Sequence, residues 1–251
     1  MKYLAVIQAR CGSTRLPEKV LKDIDGKPAL LRMLERVSES KYIDEIVVAT
    51  TINKEDLKIV QLASENNYRV FVGSANDVLD RYYQASRLFQ PEYVIRLTAD
   101  CPLLDWRVID SAIESMDETS DDLSMLTETF PDGQDVEIVR FASLETAWKE
   151  AKLSSEREHV TLYIKNHPEK FCLQDYKNTL GNMIAERWTL DEPEDLEVIR
   201  SVYRHFSPNV DFSLKDIYDY LQSHPEIRDI NQGFVRNEGL QISLANDKIV
   251  K

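Results

Sequence analysis

The chain has 251 residues, 43% of them hydrophobic, and a formal net charge of −13. That apolar content is enough for the core of a single α/β domain. The acidic charge argues against nucleic acid and anionic membranes as partners, and no apolar run approaches the roughly 18 residues that a membrane span needs. We also expect no signal peptide at 1–10 and reduced thiols at Cys11, Cys101 and Cys172, which together favour a cytoplasmic location.

Short apolar runs alternate with amphipathic helical patterns in the first half of the chain. In chain order the predicted elements are a strand at 3–9, a helix at 28–40, a strand at 45–51, a helix at 55–67, a strand at 68–73, a helix at 77–89 and a strand at 93–100. Strands that are apolar throughout are typical of a parallel sheet with helices on both faces. The pattern therefore predicts a three-layer α/β fold with a mostly parallel central sheet, whose ligands bind at the carboxyl ends of the strands.

The second half of the chain contains more helical patterns and fewer strands. The predicted elements are a strand at 135–141, helices at 143–151 and 155–167, extended segments at 171–176 and 186–191, and helices at 193–206 and 214–224. No Gly-, Ser- or Pro-rich linker separates this half from the first. We therefore predict one domain over 1–251, with a C-terminal helical extension that begins near residue 193.

Three cations lie close together in the loop after the first strand. Arg10, Arg15 and Lys19 share this loop with Gly12 and Ser13, whose backbone N–H groups and hydroxyl suit a phosphate. Neither of the two common glycine-rich phosphate motifs is present. The cations can converge on one anion, or they can form a solvated basic loop with the charges apart, and composition does not decide between the two.

Two carboxylates from distant segments are candidates for a shared magnesium ion. Asp100 ends the apolar run of the fourth predicted strand, and Asp191 follows the extended segment near 186. Carboxylate oxygens are hard ligands that suit Mg²⁺. Each residue also has a structural alternative, because Asp100 can cap the turn at Pro102 and Asp191 can form a helix capping box with Glu194.

Further polar residues interrupt the apolar pattern of the predicted strands. Arg96 lies in the middle of an apolar run, where an unpaired charge is costly, so it needs an acidic partner or a phosphate. Asp135 and Glu137 alternate along a strand and share one face, opposite Val136 and Ile138. That polar face looks either into a pocket or into solvent.

Two helical segments carry ambiguous charged residues. Asp77 can cap the helix that follows it, with Asp80 and Arg81 on the helix surface. His159 lies within a predicted helix, where a single histidine is more often a surface or hydrogen-bonded structural residue than a ligand.

The opening stretch "QARCGSTRLPEKVL" resembles the ARxxSxRLPxKxL signature of cytidylyltransferases that activate 3-deoxy-ulosonic acids and sialic acids. The likeness is greatest to the SpsF-type, spore-coat polysaccharide branch. Further segments resemble that branch in order: "DVLDRYY", "RLTADCPLLD", "PDGQDVEI", "REHVTLYI", "RWTLDEPEDLEVIR" and "RNEGL". The departures are small, with Ala99 where the family usually has glycine and Cys11 where methionine is common.

This resemblance implies a Rossmann-like nucleotidyltransferase fold and a defined reaction. The anomeric hydroxyl of a sugar attacks the α-phosphate of CTP, which gives a CMP-sugar and pyrophosphate for surface polysaccharide synthesis. The implied catalytic residues are Arg10, Arg15, Lys19, Asp100 and Asp191, of which Asp100 and Asp191 bind Mg²⁺. The implied nucleotide-binding residues are Ala9, Arg10, Gly12, Ser13, Arg15, Lys19, Asp80, Arg81, Arg96 and Thr98. Because relatives are commonly dimers, the resemblance also allows a homodimer.

The acceptor that the resemblance implies is an ulosonic or nonulosonic acid, which carries a carboxylate beside its anomeric hydroxyl. We expect Arg157 to bind that carboxylate, with His159 as a nearby hydrogen-bond partner. Asp135 and Glu137 then meet hydroxyl or amino groups of the sugar. The alternative for Arg157 is an ion pair with a neighbouring glutamate on an exposed helix, where such pairs contribute little.

Two other functions fit a nucleotide-binding α/β domain. One is a glycosyltransferase of the GT-A type, which typically relies on an internal DxD motif that "DCPLLD" does not provide. The other is a non-catalytic nucleotide-binding module, which has no need of two carboxylates and three loop cations together. Both are less favoured than the cytidylyltransferase.

Overall fold

A seven-stranded sheet runs through the protein, of which the computed structural model describes residues 1–250. The sheet strands are β1 (Tyr3–Gln8), β4 (Glu45–Thr51), β5 (Arg69–Gly73), β6 (Tyr93–Thr98), β7 (Leu123–Leu126), β8 (Glu137–Arg140) and β9 (Leu173–Tyr176), and a separate hairpin is formed by β2 (Asp23–Ile24) and β3 (Lys27–Pro28). The order across the sheet is β5-β4-β1-β6-β8-β7-β9. Only β8 among these strands is antiparallel to its neighbours, so the predicted mostly parallel sheet is confirmed.

Helices cover both faces of this sheet and extend it at the C-terminus. The α-helices are α1 (Ala29–Val37), α2 (Leu57–Glu65), α3 (Val78–Arg87), α4 (Trp106–Ser115), α5 (Phe141–Glu150), α6 (Ser154–Glu158), α7 (Leu162–Asn166), α8 (Pro193–Phe206), α9 (Leu214–Ser223), α10 (Pro225–Arg228) and α11 (Glu238–Ala245). Short 3₁₀ turns occur at Lys19–Leu21, Lys54–Asp56 and Asp229–Asn231. Within residues 1–250, no helix is long and apolar enough to cross a membrane.

The core forms on the two sides of β1. Ala5 and Ile7 pack against α1, α2 and α4 on one face, and Leu4 and Val6 pack against α3 and α5 on the other. All four side chains are 0% exposed, which explains why β1 shows no polar alternation. The result is the three-layer arrangement that the sequence predicts. A third apolar cluster joins α8 and α9 to Leu16, in the loop after β1.

Three parts of the chain differ from the sequence-based prediction. The predicted helix 155–167 is interrupted between α6 and α7, where Val160 adopts a left-handed φ of 44° that a β-branched residue rarely takes within a helix. The segment 186–191 forms no strand of the sheet and makes only an isolated bridge between Arg187 and Asp132. Helices α4, α10 and α11, strand β7 and the β2–β3 hairpin have no counterpart in the prediction.

Candidate active site

A cleft opens at the carboxyl ends of β1 and β6. One end, which we call the loop end, is lined by Gly12, Ser13 and Thr14. The other end, which we call the far end, is lined by residues that include Arg96, Asp132, Asp135, Glu137, His159, Lys165, Arg187 and Arg236. The two ends share Gln8, Arg10, Arg15, Lys19, Thr98, Asp100, Asp191, Glu238 and Gly239. The three loop cations therefore line one cleft, as the converging interpretation predicts.

Backbone contacts bring the segment before α8 to the end of β6. The N–H of Leu190 donates to the carbonyl of Asp100 at 2.8 Å, and the N–H of Trp188 donates to the carbonyl of Asp132 at 2.7 Å. Gly133 makes this approach possible, because a Cβ at this position would lie 2.5 Å from the backbone N of Thr189. The two segments that carry Asp100 and Asp191 are thus held side by side.

Lys19 forms ion pairs with both carboxylates that the sequence analysis predicts as metal ligands. Its Nζ lies 2.8 Å from Oδ2 of Asp100 and 2.5 Å from Oδ1 of Asp191. Burial would lower the pKa of Lys19, but the charges of Asp100 and Asp191 outweigh it and raise that pKa. Burial would likewise raise the pKa of Asp100, yet Lys19 lowers it to about 2. Asp100 is therefore a carboxylate at any ordinary pH.

The two carboxylates fit a hydrated magnesium ion that is shared with phosphates. Both accept from the same ammonium, so both are aimed at one cation position, and about a quarter of each side chain remains exposed. Mg²⁺ is commonly held by one or two carboxylates together with waters and substrate phosphates. The described part of the chain contains no group of three or more His, Cys, Asp or Glu that could hold a metal ion.

Asp191 is not the helix cap that its spacing to Glu194 suggested. Helix α8 begins at Pro193, and the side chain of Asp195 accepts from the backbone N–H groups of Asp191 and Glu192 at 2.9 and 2.8 Å. The capping alternative for Asp191 is therefore wrong. Its carboxylate is left to meet Lys19 and Arg15.

The arginines of the loop differ in how they are held. Arg15 pairs with Asp191 at 3.2 Å, with Glu192 at 3.0 Å and with Glu238 of α11 at 2.7 Å. Arg10 is exposed in the cleft and makes no hydrogen bond or ion pair with residues 1–250. Ala9 lies outside the cleft lining; it is buried and its N–H donates to the carbonyl of Ala49.

At the far end, Glu137 organises a buried charge cluster. It accepts from Arg96 Nη1 at 3.0 Å, from Thr161 Oγ1 at 2.9 Å and from Lys165 Nζ. Burial would raise the pKa of Glu137, but Lys165 and Arg96 lower it to about 2. Arg96 lies directly opposite Glu137 in the antiparallel pair of β6 and β8, so its mid-strand charge has the acidic partner that it requires.

The face shared by Asp135 and Glu137 looks into the cleft, while Val136 and Ile138 lie in the core. This placement agrees with a face that looks into a pocket, and the ligand of that pocket stays a prediction. Next to it, burial and the charge of Asp135 raise the pKa of Asp132 to about 6.

Several polar atoms in the cleft lining are buried without a hydrogen-bond partner within the described residues. These atoms are Gln8 Oε1, Arg96 Nε, His159 Nε2 and Arg236 Nε. Such groups are costly unless a ligand or water completes them. Sequence reasoning assigned no role to Gln8, Lys165, Asp132, Arg187 or Arg236. For Gln8 a signal did exist, because it is a polar residue at the carboxyl end of an otherwise apolar strand.

Arg157 does not line the cleft, so its predicted contact with an acceptor is wrong. Its Nε and Nη2 bind the carboxylate of Asp77 at 2.6–3.1 Å, and its Nη1 donates to the carbonyl of Trp148. The side chain is 5% exposed, so the exposed-helix alternative is wrong as well. His159, two residues further, does line the far end, and burial lowers its pKa.

Asp80 and Arg81 also lie outside the cleft lining, in contrast to the expected nucleotide contacts. Asp80 accepts from Trp148 Nε1 at 2.8 Å, and Arg81 is fully buried with its Nη1 on the carbonyl of Ser74. Asp77 caps α3 as proposed, because its side chain accepts from the N–H of Asp80.

Comparison with known proteins shows the family of the chain. The cytidylyltransferase family matches residues 4–222. An uncharacterized protein of Methanocaldococcus jannaschii is 38% identical over 92% of this chain and 95% of its own length. The spore coat polysaccharide biosynthesis protein SpsF of Bacillus subtilis is 31% identical over 89% of this chain and 95% of its own length.

A solved cytidylyltransferase from Leptospira borgpetersenii has a TM-score of 0.88 and 34% identity, covering 94% of this chain and 100% of the other. Together with the family match, this similarity confirms the resemblance seen in the N-terminal loop. The chain therefore belongs to the cytidylyltransferase family and is a CTP-dependent cytidylyltransferase.

Proposed function

We propose that the protein transfers CMP from CTP to the anomeric hydroxyl of an acidic sugar, an ulosonic or nonulosonic acid, with release of pyrophosphate. The observation that carries this proposal is the position of Lys19 between Asp100 and Asp191, at the junction of the loop end and the far end. A role in surface polysaccharide synthesis is supported by the name of the Bacillus subtilis relative.

The loop end suits the triphosphate. Arg10, Arg15 and Lys19 supply three cations beside the open backbone of Gly12 and Ser13. Arginine binds phosphate oxygens through two parallel N–H groups, and charge-assisted hydrogen bonds of this kind are stronger than neutral ones. These residues hold the β and γ phosphates and stabilise the charge that develops on pyrophosphate as it leaves.

Asp100 and Asp191 hold Mg²⁺ in this proposal. When bound, the ion neutralises charge on the triphosphate and polarises its phosphorus–oxygen bonds. Lys19 then exchanges part of its contact with the two carboxylates for contact with phosphate oxygens. In the free protein both acidic neighbours raise the pKa of Lys19, and the phosphate oxygens that partly replace them are anionic too, so the ammonium stays protonated.

The far end suits the acceptor. Gln8, Arg96 and His159 each have a buried polar atom without a partner among residues 1–250, which a polyhydroxylated sugar satisfies. Asp132 has a pKa near 6 and can take up the proton of the attacking hydroxyl at neutral pH through its carboxylate oxygens. Positioning of the hydroxyl near the α-phosphate is the main contribution of these side chains.

The proposal is tested by pyrophosphate release with CTP, Mg²⁺ and a panel of acceptors. Ulosonic acids should support release, whereas sugar 1-phosphates should not. ATP, GTP and UTP in place of CTP serve as matched controls for the base. Turnover of a sugar 1-phosphate, or a failure of every ulosonic acid with CTP, would reject the proposed reaction.

A further inference from the structure

The C-terminal segment contributes a wall of the cleft, although it lies beyond the residues that match the family. The match ends at residue 222, and the chain then returns so that 234–240 line the far end. Two anchors hold this segment in place. On one side Asn231 Nδ2 donates to Arg187 O at 3.0 Å and to Asp195 Oδ1 at 2.9 Å. On the other, Ser243 Oγ donates to Glu158 Oε2 at 2.6 Å.

Arg236 lies between these anchors and is fixed by the backbone of the opposite wall. Its Nη1 donates to the carbonyl of Phe130 at 2.8 Å and to that of Glu128 at 3.3 Å. Its Nε is buried and has no hydrogen-bond partner among residues 1–250. Its Nη2 lies 3.8 Å from Oδ1 of Asp135, beyond hydrogen-bond distance. The paired Nε and Nη2 edge of the guanidinium is therefore held in position without a bonded acceptor.

Apart from Arg236, the cations that line only the far end are already engaged by carboxylates. Arg96 and Lys165 both donate to Glu137. Arg187 binds Asp195 through Nε and Nη2, each at 2.8 Å, and Asp132 through Nη1. The Nε and Nη2 edge, which binds Asp195 in Arg187, has no hydrogen-bonded acceptor in Arg236.

We propose that Arg236 is a specificity-determining residue that binds the carboxylate of the acceptor through its Nε and Nη2. This inference rests on the proposed function and replaces Arg157 as the partner of that group. A planar carboxylate matches two parallel N–H donors, and the fork geometry orients it as well as binding it. The adjacent Asp132 and Asp135 disfavour a dianion such as a phosphate monoester, so the site selects a singly charged group.

The test compares free acids with esters. Steady-state kinetics are measured at saturating CTP and Mg²⁺ with 3-deoxy-manno-octulosonate and N-acetylneuraminate, each as the free acid and as the C1 methyl ester. For Arg236→Ala the KM of the free acid should rise about 10- to 100-fold, the usual loss for a hydrogen bond to a charged group. The KM of the ester should be nearly the same in wild type and variant, because the ester offers no anion to Arg236.

Control variants separate this role from a structural one. Arg236→Lys keeps the charge but loses the fork, so it should give an intermediate KM and a reduced preference for the acid over the ester. Arg228→Ala, on the same C-terminal segment but paired with Asp229 outside the cleft lining, should match wild type. The Kd for CTP should be unchanged in all three. If Arg236→Ala unfolds, the Arg236→Lys comparison decides the question.

The outcomes distinguish the two proposals. An active wild type whose preference for the acid over the ester persists in the Arg236 variants overturns the role of Arg236 alone. A wild type that releases no pyrophosphate with any free acid overturns the proposed function, and the role of Arg236 with it.

Discussion

Arg15 Nη1 donates to Glu238 Oε2 at 2.7 Å, a contact that joins the N-terminal loop to α11 across 223 residues of sequence. The same guanidinium pairs with Asp191 and Glu192, so each of its three nitrogens faces a carboxylate oxygen. These carboxylates therefore compete with phosphate oxygens for the guanidinium of Arg15. Glu238 is the most exposed of the three and lies on a segment outside the family match.

Replacing Glu238 should consequently strengthen binding of the nucleotide. In Glu238→Gln the Kd for CTP with Mg²⁺, measured by isothermal titration calorimetry, should fall about two- to fivefold, as expected for an exposed ion pair. Glu226→Gln, on exposed α10, provides the matched control. Weaker binding of CTP by Glu238→Gln would instead show that Glu238 assists the nucleotide.

Asp191 should matter for the rate and not for folding. Asp191→Asn should lower kcat, because it removes about 3–4 kcal/mol of transition-state stabilisation. The thermal unfolding temperature should change little. The reason is that Asp195, not Asp191, accepts the N–H groups at the start of α8. Pyrophosphate release and calorimetric unfolding measure the two effects, and Asp100→Asn should lower kcat in the same way.

Asp195→Asn is the opposite case and serves as the control. Asp195 is fully buried and accepts from both Nε and Nη2 of Arg187. Its loss should cost about 3–5 kcal/mol of unfolding free energy, since buried Arg187 loses its bidentate partner and keeps only the contact of Nη1 with Asp132. An Asp191→Asn variant that unfolds as readily as Asp195→Asn would refute the separation of the two roles.

The sequence predicted the parallel sheet from its uniformly apolar strands. It placed Lys19, Asp100 and Asp191 in one site only through the family resemblance, because Asp191 ends a segment that forms no strand of the sheet. It misassigned Arg157, because nothing in the local pattern shows that Asp77, 80 residues earlier, neutralises this side chain. Arg236 was missed for a related reason: its importance arises from carbonyls more than 100 residues away.

The charge cluster around Glu137 should give a distinct pH dependence of stability. The folded state lowers the pKa of Glu137 from its ordinary 4.5 to about 2, so the carboxylate stabilises the fold above pH 4.5 and this contribution is lost as the pH falls toward 2. Glu137→Gln should lower the unfolding free energy by about 3–5 kcal/mol at pH 7, because Arg96 and Lys165 lose their buried partner.

Urea unfolding of wild type and Glu137→Gln at several pH values measures this difference. The gap between the two proteins should narrow between pH 4.5 and the lowest pH at which both still fold. Glu145→Gln, in the exposed pair with Lys149, should show a smaller loss at pH 7. A gap for Glu137→Gln that is constant with pH would mean that its charge is not what stabilises the cluster.

Arg157 provides the sharpest contrast with Arg236. Its bidentate contact with Asp77 and its bond to the carbonyl of Trp148 tie α6 to the start of α3. Arg157→Ala should therefore lower the unfolding free energy by about 2–4 kcal/mol, because it leaves Asp77 without its partner. Arg157→Lys should recover only part of this loss, since an ammonium cannot make the bidentate contact.

The KM for the acceptor should stay unchanged in Arg157→Ala, in contrast to the rise expected for Arg236→Ala. At a temperature where Arg157→Ala remains folded, its KM for an ulosonic acid should equal that of wild type within about twofold, because Arg157 is shielded from the cleft. Denaturant unfolding and steady-state assays on the same preparations make this comparison. A large rise in the acceptor KM of Arg157→Ala without loss of stability would show that Arg157, and not Arg236, binds the acceptor carboxylate.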